Sequence, residues 1–83
     1  MTNQTLRAAV IEALKSIAPE SDPASLGDTE RVRDALDLDS MDFLNFIIAI
    51  HRDLHVDIPE GDYSKMQTLG GAVEYLQKKL PTA

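Results

Sequence analysis

Ser40 is the residue of this sequence best placed for chemistry on a hydroxyl group. It lies in the run Asp39-Ser40-Met41-Asp42, immediately before an apolar segment. A predicted helix begins here, with Asp39 as its N-cap and Asp42 in its first turn, where a negative charge suits the helix dipole. A helix start presents a serine oxygen outward. A lone serine at such a place is otherwise an ordinary helix cap, so a chemical role for Ser40 depends on the surrounding pattern.

His51 and His55 form a second candidate pair, because a spacing of four residues places two imidazoles on one side of a helix. No third ligand has motif spacing, and His55 lies at the end of the predicted helix, so we expect no metal site. A serine hydrolase requires a base and an oxyanion hole around its serine, and no motif supplies them. The chain contains no cysteine for thiol chemistry. We therefore expect a protein that is not an enzyme.

The negative charge is concentrated in the middle third of the chain. The net charge is −6, which argues against nucleic acid and anionic membranes as partners. Residues 37–62 contain seven acidic side chains and one basic side chain, Arg52. This segment is either a solvated face or a docking surface for basic partners.

Membrane insertion is not expected from the sequence. The longest apolar run, residues 46–50, is far shorter than the about 20 residues that span a bilayer. No basic region followed by an apolar run lies near Met1, so we expect no signal peptide and a cytoplasmic protein.

The elements that position Ser40 are predicted to be helices. Apolar residues recur at helical spacing, and prolines and glycines interrupt them. The predicted helices cover residues 3–17, residues 40 to about 54, residues 60–66 and residues 68 to about 80. Between the first two, Val32 and Leu36 should attach a long connection to the core. We predict an all-α four-helix bundle with three main helices, one short helix and a long first loop, forming a single domain over residues 1–83.

The helix that follows Ser40 has two apolar faces. At about 100° per residue, one broad arc faces the predicted core and contains Phe43, Phe46, Ile47, Ile50 and Leu54. A second group contains Met41, Leu44 and Ile48, flanked by Asn45, His51 and Arg52. One buried face is sufficient for a surface helix. The second face is either buried inside the protein or an exposed strip that another protein covers.

The segment around Ser40 resembles the acyl carrier protein family. The resemblance rests on Leu36-Asp37-Leu38-Asp39-Ser40-Met41-Asp42, the apolar helix after it, Ile58-Pro59 and Thr68-Leu69. It covers about residues 32–76 and implies a four-helix bundle with a long first loop. It also implies that a phosphopantetheinyl transferase, the holo-acyl-carrier-protein synthase, transfers 4′-phosphopantetheine from coenzyme A to the hydroxyl of Ser40.

The function implied by this resemblance is that of a carrier. The protein would hold acyl intermediates as thioesters on the arm and deliver them to acyl-transferring or synthase enzymes. A phosphodiester on Ser40 would lie near free backbone N–H groups at the helix start, whereas Asp39 and Asp42 would repel it. We expect these two carboxylates to serve recognition by the modifying enzyme. We expect the carrier to be a monomer.

The sequence departs from the family pattern at several positions. Asp37 stands where glycine is usual, and Asn45, His51 and Arg52 stand where acidic residues are usual. The acidic docking stripe is thereby shortened to Asp37, Asp39 and Asp42. We expect the partner-binding residues to be Asp37, Met41, Asp42, Leu44, Asn45, Ile48 and Arg52. A specialised fatty-acid, lipid or polyketide pathway would fit these departures.

Two other kinds of protein fit part of the pattern. A helical adaptor without a prosthetic group could use the same apolar strip and acidic rim. A peptidyl carrier is disfavoured because the Gly-Gly-(His/Asp)-Ser pattern is absent. A D-alanyl carrier is harder to separate from an acyl carrier on sequence alone.

Overall fold

The computed structural model describes residues 2–80, and all regular elements in that range are helical. Helix α1 spans Asn3–Ile17, α2 spans Val32–Ala35, α3 spans Ser40–Leu54 and α4 spans Leu69–Lys79. Two 3₁₀ segments, Pro23–Ser25 and Glu60–Met66, lie in the connections. The all-α prediction is confirmed, and the short helix predicted at residues 60–66 is a 3₁₀ helix. None of the helices described is long and apolar enough to cross a membrane.

Hydrogen bonds from side chains fix where the long helices begin. The Oγ1 atom of Thr2 accepts from the N–H of Thr5 at the start of α1. Thr68 does the same for α4, where its Oγ1 accepts from the N–H of Gly71 at 3.0 Å. Each bond satisfies an N–H group that has no partner within the helix. The last predicted helix, from residue 68 to about 80, is α4, and Thr68 caps it.

The core lies where α1, α3 and α4 meet. Its fully buried side chains include Leu6, Val10 and Leu14 from α1, Phe46 and Ile50 from α3, and Leu69 and Leu76 from α4. Four members of the predicted core arc of α3, namely Phe43, Phe46, Ile47 and Ile50, are buried, and Leu54 is half-buried. Ala49 is also buried, although it was not part of the predicted arc.

The long first loop is attached to the bundle at several points. Pro23 and Leu26 are buried, as is Val32, and Leu36 packs against the core while half-buried. The prediction that Val32 and Leu36 attach this connection is confirmed. The N–H of Val32 donates to the carbonyl of Gln67 at 2.8 Å, which places α2 beside the segment that precedes α4.

Two glycines at the start of α4 are explained by close packing. The N–H of Gly70 donates to the carbonyl of Asp28 at 3.0 Å, and a Cβ at Gly70 would lie 2.9 Å from the Cβ of Asp28. A Cβ at Gly71 would lie 2.6 Å from the Oγ1 of Thr68 and 3.0 Å from the carbonyl oxygen of Lys65. Any larger residue at either position must displace a neighbour. An ion pair between Arg7 and Asp28 holds the same loop against α1.

A buried tyrosine connects the segment Glu60–Met66 to α4. The hydroxyl of Tyr75 donates to the Oδ2 of Asp62 at 2.7 Å. Burial, followed by this hydrogen bond, raises the pKa of Tyr75 to about 12. The same bond, supported by nearby Lys65 and Lys79, lowers the pKa of Asp62. The pair holds the 3₁₀ segment that lies between the end of α3 and α4.

Candidate functional site

The start of α3 is fixed by two aspartates that cap each other. The Oδ1 of Asp39 accepts from the N–H of Asp42 at 2.8 Å, and the Oδ2 of Asp42 accepts from the N–H of Asp39 at 3.3 Å. This is a capping box built from two aspartates. The N-cap predicted at Asp39 is confirmed. From the sequence, Asp42 was expected only as a negative charge in the first turn, and its capping role was not predicted. The Asp-x-x-Asp spacing is the signal that could have indicated this role.

Ser40 is the first residue of α3, and its side chain is exposed. Its Oγ accepts a hydrogen bond from the Nη2 of Arg33 at 3.3 Å. A guanidinium donates hydrogen bonds and stays protonated, so Arg33 cannot act as a base toward this hydroxyl. The serine is presented to solvent as a group that another enzyme can reach. The arrangement does not resemble a serine that this chain activates for its own catalysis.

Three contacts hold Arg33 over the start of α3. Its carbonyl accepts from the N–H of Leu38 at 2.8 Å. Its guanidinium carbon lies 5.9 Å from the centroid of the buried Phe43 ring, at cation–π distance. The third contact is the hydrogen bond to Ser40. Arg33 was not among the predicted site residues. Residues 34–42 contain four aspartates and no basic residue, so a positive charge directly before this acidic run is the signal that could have drawn attention to Arg33.

Asp37 adopts the left-handed conformation, with φ at 54°. Residues other than glycine rarely adopt this backbone conformation, and aspartate tolerates it better than most. This explains why the resemblance leads one to expect glycine here. The turn directs Leu38 into the core and leaves Asp37 exposed. The departure from the expected residue therefore keeps the backbone shape and adds a carboxylate near Ser40.

The second apolar face of α3 is exposed. The exposed fractions are 63% for Met41, 36% for Leu44 and 51% for Ile48. The sequence allowed this face to be either buried or an exposed strip, and the structure shows that it is exposed. Asn45, His51 and Arg52 are exposed beside it. The binding of a partner to this strip stays a prediction.

The predicted site residues do not all lie together. Asp39, Met41 and Asp42 share the first turn of α3 with Ser40. Arg52 lies in the last turn, twelve residues beyond Ser40, which is about 18 Å along the axis at the rise of an α-helix. The Nε of Arg52 donates to the Oδ1 of Asp53 at 3.1 Å. Arg52 can therefore influence a partner that covers the whole strip and is too distant to contact the serine.

An apolar groove runs beside the exposed strip. It has a volume of about 380 Å³ and lies between α3 and the segment that leads into Glu60–Met66. Its apolar lining comes from Ile47, Ile48, Ile58, Pro59 and Tyr63, and His51 and Asp57 lie at its polar side. Ile48 belongs to both the groove and the strip, so the two surfaces are continuous.

The two histidines have structural positions at the end of α3. The Nδ1 of His51 donates to the carbonyl of Val56 at 2.8 Å. His55 is the C-cap and adopts the left-handed conformation, with φ at 53°. Within residues 2–80, no group of three or more potential ligand side chains is arranged to hold a metal ion. Together the histidines shape the turn that leads from α3 to the groove.

Comparison with known proteins agrees with this geometry. Residues 4–76 match the family described as "Phosphopantetheine attachment site". An acyl carrier protein of Phenylobacterium zucineum is 29% identical over 74 residues, covering 86% of this chain and 94% of the relative. One from Lactobacillus acidophilus is 31% identical over 58 residues, covering 70% and 72%.

A mitochondrial relative is longer than the matched region. The mitochondrial acyl carrier protein of Neurospora crassa is 27% identical over 67 residues, covering 81% of this chain and 50% of that protein. The chain thus spans about half the length of this relative. Because the family match extends over most of the chain, the indicated prosthetic group is a covalently attached 4′-phosphopantetheine, and the family consists of carriers, not enzymes. The chain belongs to the acyl carrier proteins, the family defined by the phosphopantetheine attachment site.

Proposed function

We propose that residues 1–83 form one carrier domain that holds acyl groups as thioesters on a 4′-phosphopantetheine arm attached to Ser40. The observation that carries this proposal is the exposed hydroxyl of Ser40 at the capped start of α3, within the segment that matches the family. The chain contains no cysteine, so the arm supplies the thiol on which an acyl group is carried.

Attachment requires a separate transferase. The Oγ of Ser40 forms a bond to the coenzyme A phosphorus that bears pantetheine. The bond between this phosphorus and the bridging oxygen of the pyrophosphate breaks, and adenosine 3′,5′-bisphosphate leaves. The hydroxyl proton passes to a base of the transferase, because the side chain that hydrogen bonds to Ser40 is a guanidinium. The exposed serine and the neighbouring cation fit a phosphodiester at this position.

The proposed partner surface consists of the exposed strip and the carboxylates at its start. Its residues are Asp37, Met41, Asp42, Leu44, Asn45, Ile48 and Arg52, with Asp39 flanking the attachment site. Apolar side chains with a polar rim suit a protein partner, and the acidic start of α3 suits a basic one. The proposed partners are a phosphopantetheinyl transferase and acyl-transferring or synthase enzymes. We further propose a monomer, and a location in the cytoplasm in view of the bacterial relatives.

The apolar groove favours an acyl cargo over D-alanine. Ile47, Ile58 and Tyr63 provide apolar lining. Ile48 lies eight residues after Ser40, about 12 Å along the helix axis. Burial of a hydrocarbon chain in such a groove is favourable by about 0.8 kcal/mol per methylene. D-Alanine has one methyl group and a charged amine, and it gains little there.

A specialised fatty-acid, lipid or polyketide pathway is part of the proposal. Asn45 and Arg52 lie on the exposed face of α3, where the family pattern is usually acidic. Replacing both by glutamate should improve loading or elongation by generic fatty-acid synthase enzymes, because it restores the missing negative charges. Acylation and elongation kinetics of the wild type and the double variant provide the test. Equal activity of the wild type and a typical fatty-acid carrier would remove the claim of specialisation.

The carrier function is tested by loading the arm. The purified chain is incubated with coenzyme A, Mg²⁺ and a broad-specificity phosphopantetheinyl transferase, and its intact mass is followed. We expect the gain of one phosphopantetheinyl group, followed by acylation of the new thiol. Ser40→Ala should remain folded and gain neither group. Wild-type chain that gains no mass with several transferases would instead be an adaptor without a prosthetic group.

A further inference from the structure

Arg33 is a cation placed beside the oxygen that would carry the arm. Its Nη2 is 3.3 Å from the Oγ of Ser40. A neutral hydroxyl offers this guanidinium no opposite charge, whereas a phosphate group offers both opposite charge and two oxygens for a bidentate pair. Nor can Arg33 activate the hydroxyl, since a guanidinium does not accept a proton. Its position is better suited to an anion attached to Ser40 than to the free serine.

Esterification of Ser40 places a negative charge within reach of this guanidinium. The phosphorus is bonded directly to Oγ, so the two non-bridging oxygens lie one further bond away. The planar fork of arginine matches the geometry of a phosphate group. The other charged groups at the start of α3 are the carboxylates of Asp37, Asp39 and Asp42, which repel a phosphodiester. Arg33 supplies the opposite charge.

The guanidinium is held in position before the anion arrives. Its stacking on the Phe43 ring restricts the side chain, and the bond from Leu38 fixes the backbone of Arg33. The bond between Val32 and Gln67 holds α2 against the end of the 3₁₀ segment. Less side-chain freedom is therefore lost when an anion is bound. A flexible surface arginine would lack this advantage.

We propose that Arg33 binds the phosphodiester formed at Ser40 and positions the root of the phosphopantetheine arm on the bundle. This inference rests on attachment at Ser40, as proposed above. Arg33 is a positioning residue: it offsets the repulsion from Asp39 and Asp42 and directs the arm by holding its phosphate. The cargo and the reactive thiol lie beyond its reach.

The test compares apo and modified protein in three chains, the wild type, Arg33→Gln and Arg31→Gln. Arg31 lies two residues earlier in the same loop and is exposed, so Arg31→Gln removes the same charge without removing the contact to Ser40. Each chain is modified with coenzyme A and a transferase, and complete modification is verified by intact mass. Urea unfolding of both forms then gives the change in folding equilibrium constant caused by the arm.

A structural role alone would change apo and modified protein equally. We expect modification to lower the folding equilibrium constant of Arg33→Gln about two- to fivefold more than that of the wild type, the range of partly exposed charge pairs. Arg31→Gln should behave as the wild type does. The difference should shrink in 1 M salt, where the Debye length is about 3 Å. A fourth chain, Arg33→Lys, should show a smaller extra loss than Arg33→Gln, because lysine keeps the charge and loses the fork.

Phosphorus-31 NMR provides a readout that does not depend on unfolding. The phosphodiester resonance should shift on Arg33→Gln and stay in place on Arg31→Gln. If the wild type is modified at Ser40 and Arg33→Gln shows neither the larger loss nor a shifted resonance, Arg33 does not bind the phosphodiester and the carrier assignment still stands. If the wild type gains no arm at Ser40, attachment itself fails, and this inference fails with it.

Discussion

The side chains of Asp39 and Asp42 each accept a hydrogen bond from the other's backbone N–H, at 2.8 Å and 3.3 Å, and so fix the residue at which α3 begins. Ser40 is that residue. The two carboxylates thus stabilise the helix start and also contribute negative charge around Ser40, and variants must separate these two roles.

Asp39→Ala should destabilise the protein by about 1 kcal/mol, because the helix loses its N-cap. Asp39→Asn should leave stability nearly unchanged, since asparagine caps as well as aspartate. The asparagine variant should nevertheless be modified more slowly by a transferase, because it lacks the charge. Urea unfolding and modification kinetics measure the two effects, with Glu12→Ala in α1 as the control for loss of an exposed carboxylate. Equal rates for Asp39→Asn and the wild type would show that this charge does not contribute to recognition.

The two faces of α3 should respond differently to truncation. Ile47→Ala and Ile50→Ala remove buried side chains and should cost about 2–5 kcal/mol each. For a domain with a total stability of about 5 kcal/mol, this approaches complete unfolding. Met41→Ala and Ile48→Ala should change stability by about 0.5 kcal/mol or less, because both side chains are largely exposed. Denaturant titration of the four variants decides, and similar losses in all four would contradict an exposed docking strip.

Gly70 and Gly61 form a matched pair for testing close packing. A Cβ at Gly70 would lie 2.9 Å from Asp28, whereas a Cβ at Gly61 would have nothing within 4 Å. Gly70→Ala should therefore cost about 1–3 kcal/mol through displacement of the first loop. Gly61→Ala should be neutral or stabilise by up to about 1 kcal/mol, because it restricts the unfolded chain. Thermal unfolding of both variants measures the difference between their stability changes. Equal stability of the two variants would show that the first loop can move away without cost.

The hydrogen bond between Tyr75 and Asp62 should make stability depend on pH at both extremes. The raised pKa of Tyr75, about 12, means that its contribution is complete below pH 10 and is lost as the pH rises toward that value. The lowered pKa of Asp62 means that its contribution is complete above the ordinary aspartate range and is lost as the pH falls through the folded value. Tyr75→Phe should flatten both limbs of the profile. Urea midpoints of both chains between pH 2.5 and 11.5 test this, and parallel profiles would show that the bond contributes nothing.

Local sequence signals predicted most of the frame that presents Ser40. Asp39 and Thr68 are capping residues, and their types alone located the starts of α3 and α4. The periodicity of α3 separated its buried arc from Met41, Leu44 and Ile48. By contrast, the contact between Arg33 and Ser40 depends on the position of the four-residue helix α2, which a hydrogen bond to Gln67 fixes. The spacing of apolar residues does not predict such a position. The need for glycine at position 70 depends on Asp28, which is distant in sequence. Contacts of this kind are set by tertiary packing.

Peptide mapping of the modified protein tests the attachment at Ser40 most directly. Trypsin cleaves after Arg33 and Arg52, and the peptide covering residues 34–52 contains Ser40 as its only hydroxyl side chain. After incubation with coenzyme A and a transferase, this peptide should carry the mass of one phosphopantetheinyl group, and the peptides containing Ser16, Ser21, Ser25 and Ser64 should remain unchanged. The Ser40→Ala chain should show no modified peptide. Phosphopantetheine on any other peptide, or on the Ser40→Ala chain, would contradict the assignment of Ser40 as the attachment site.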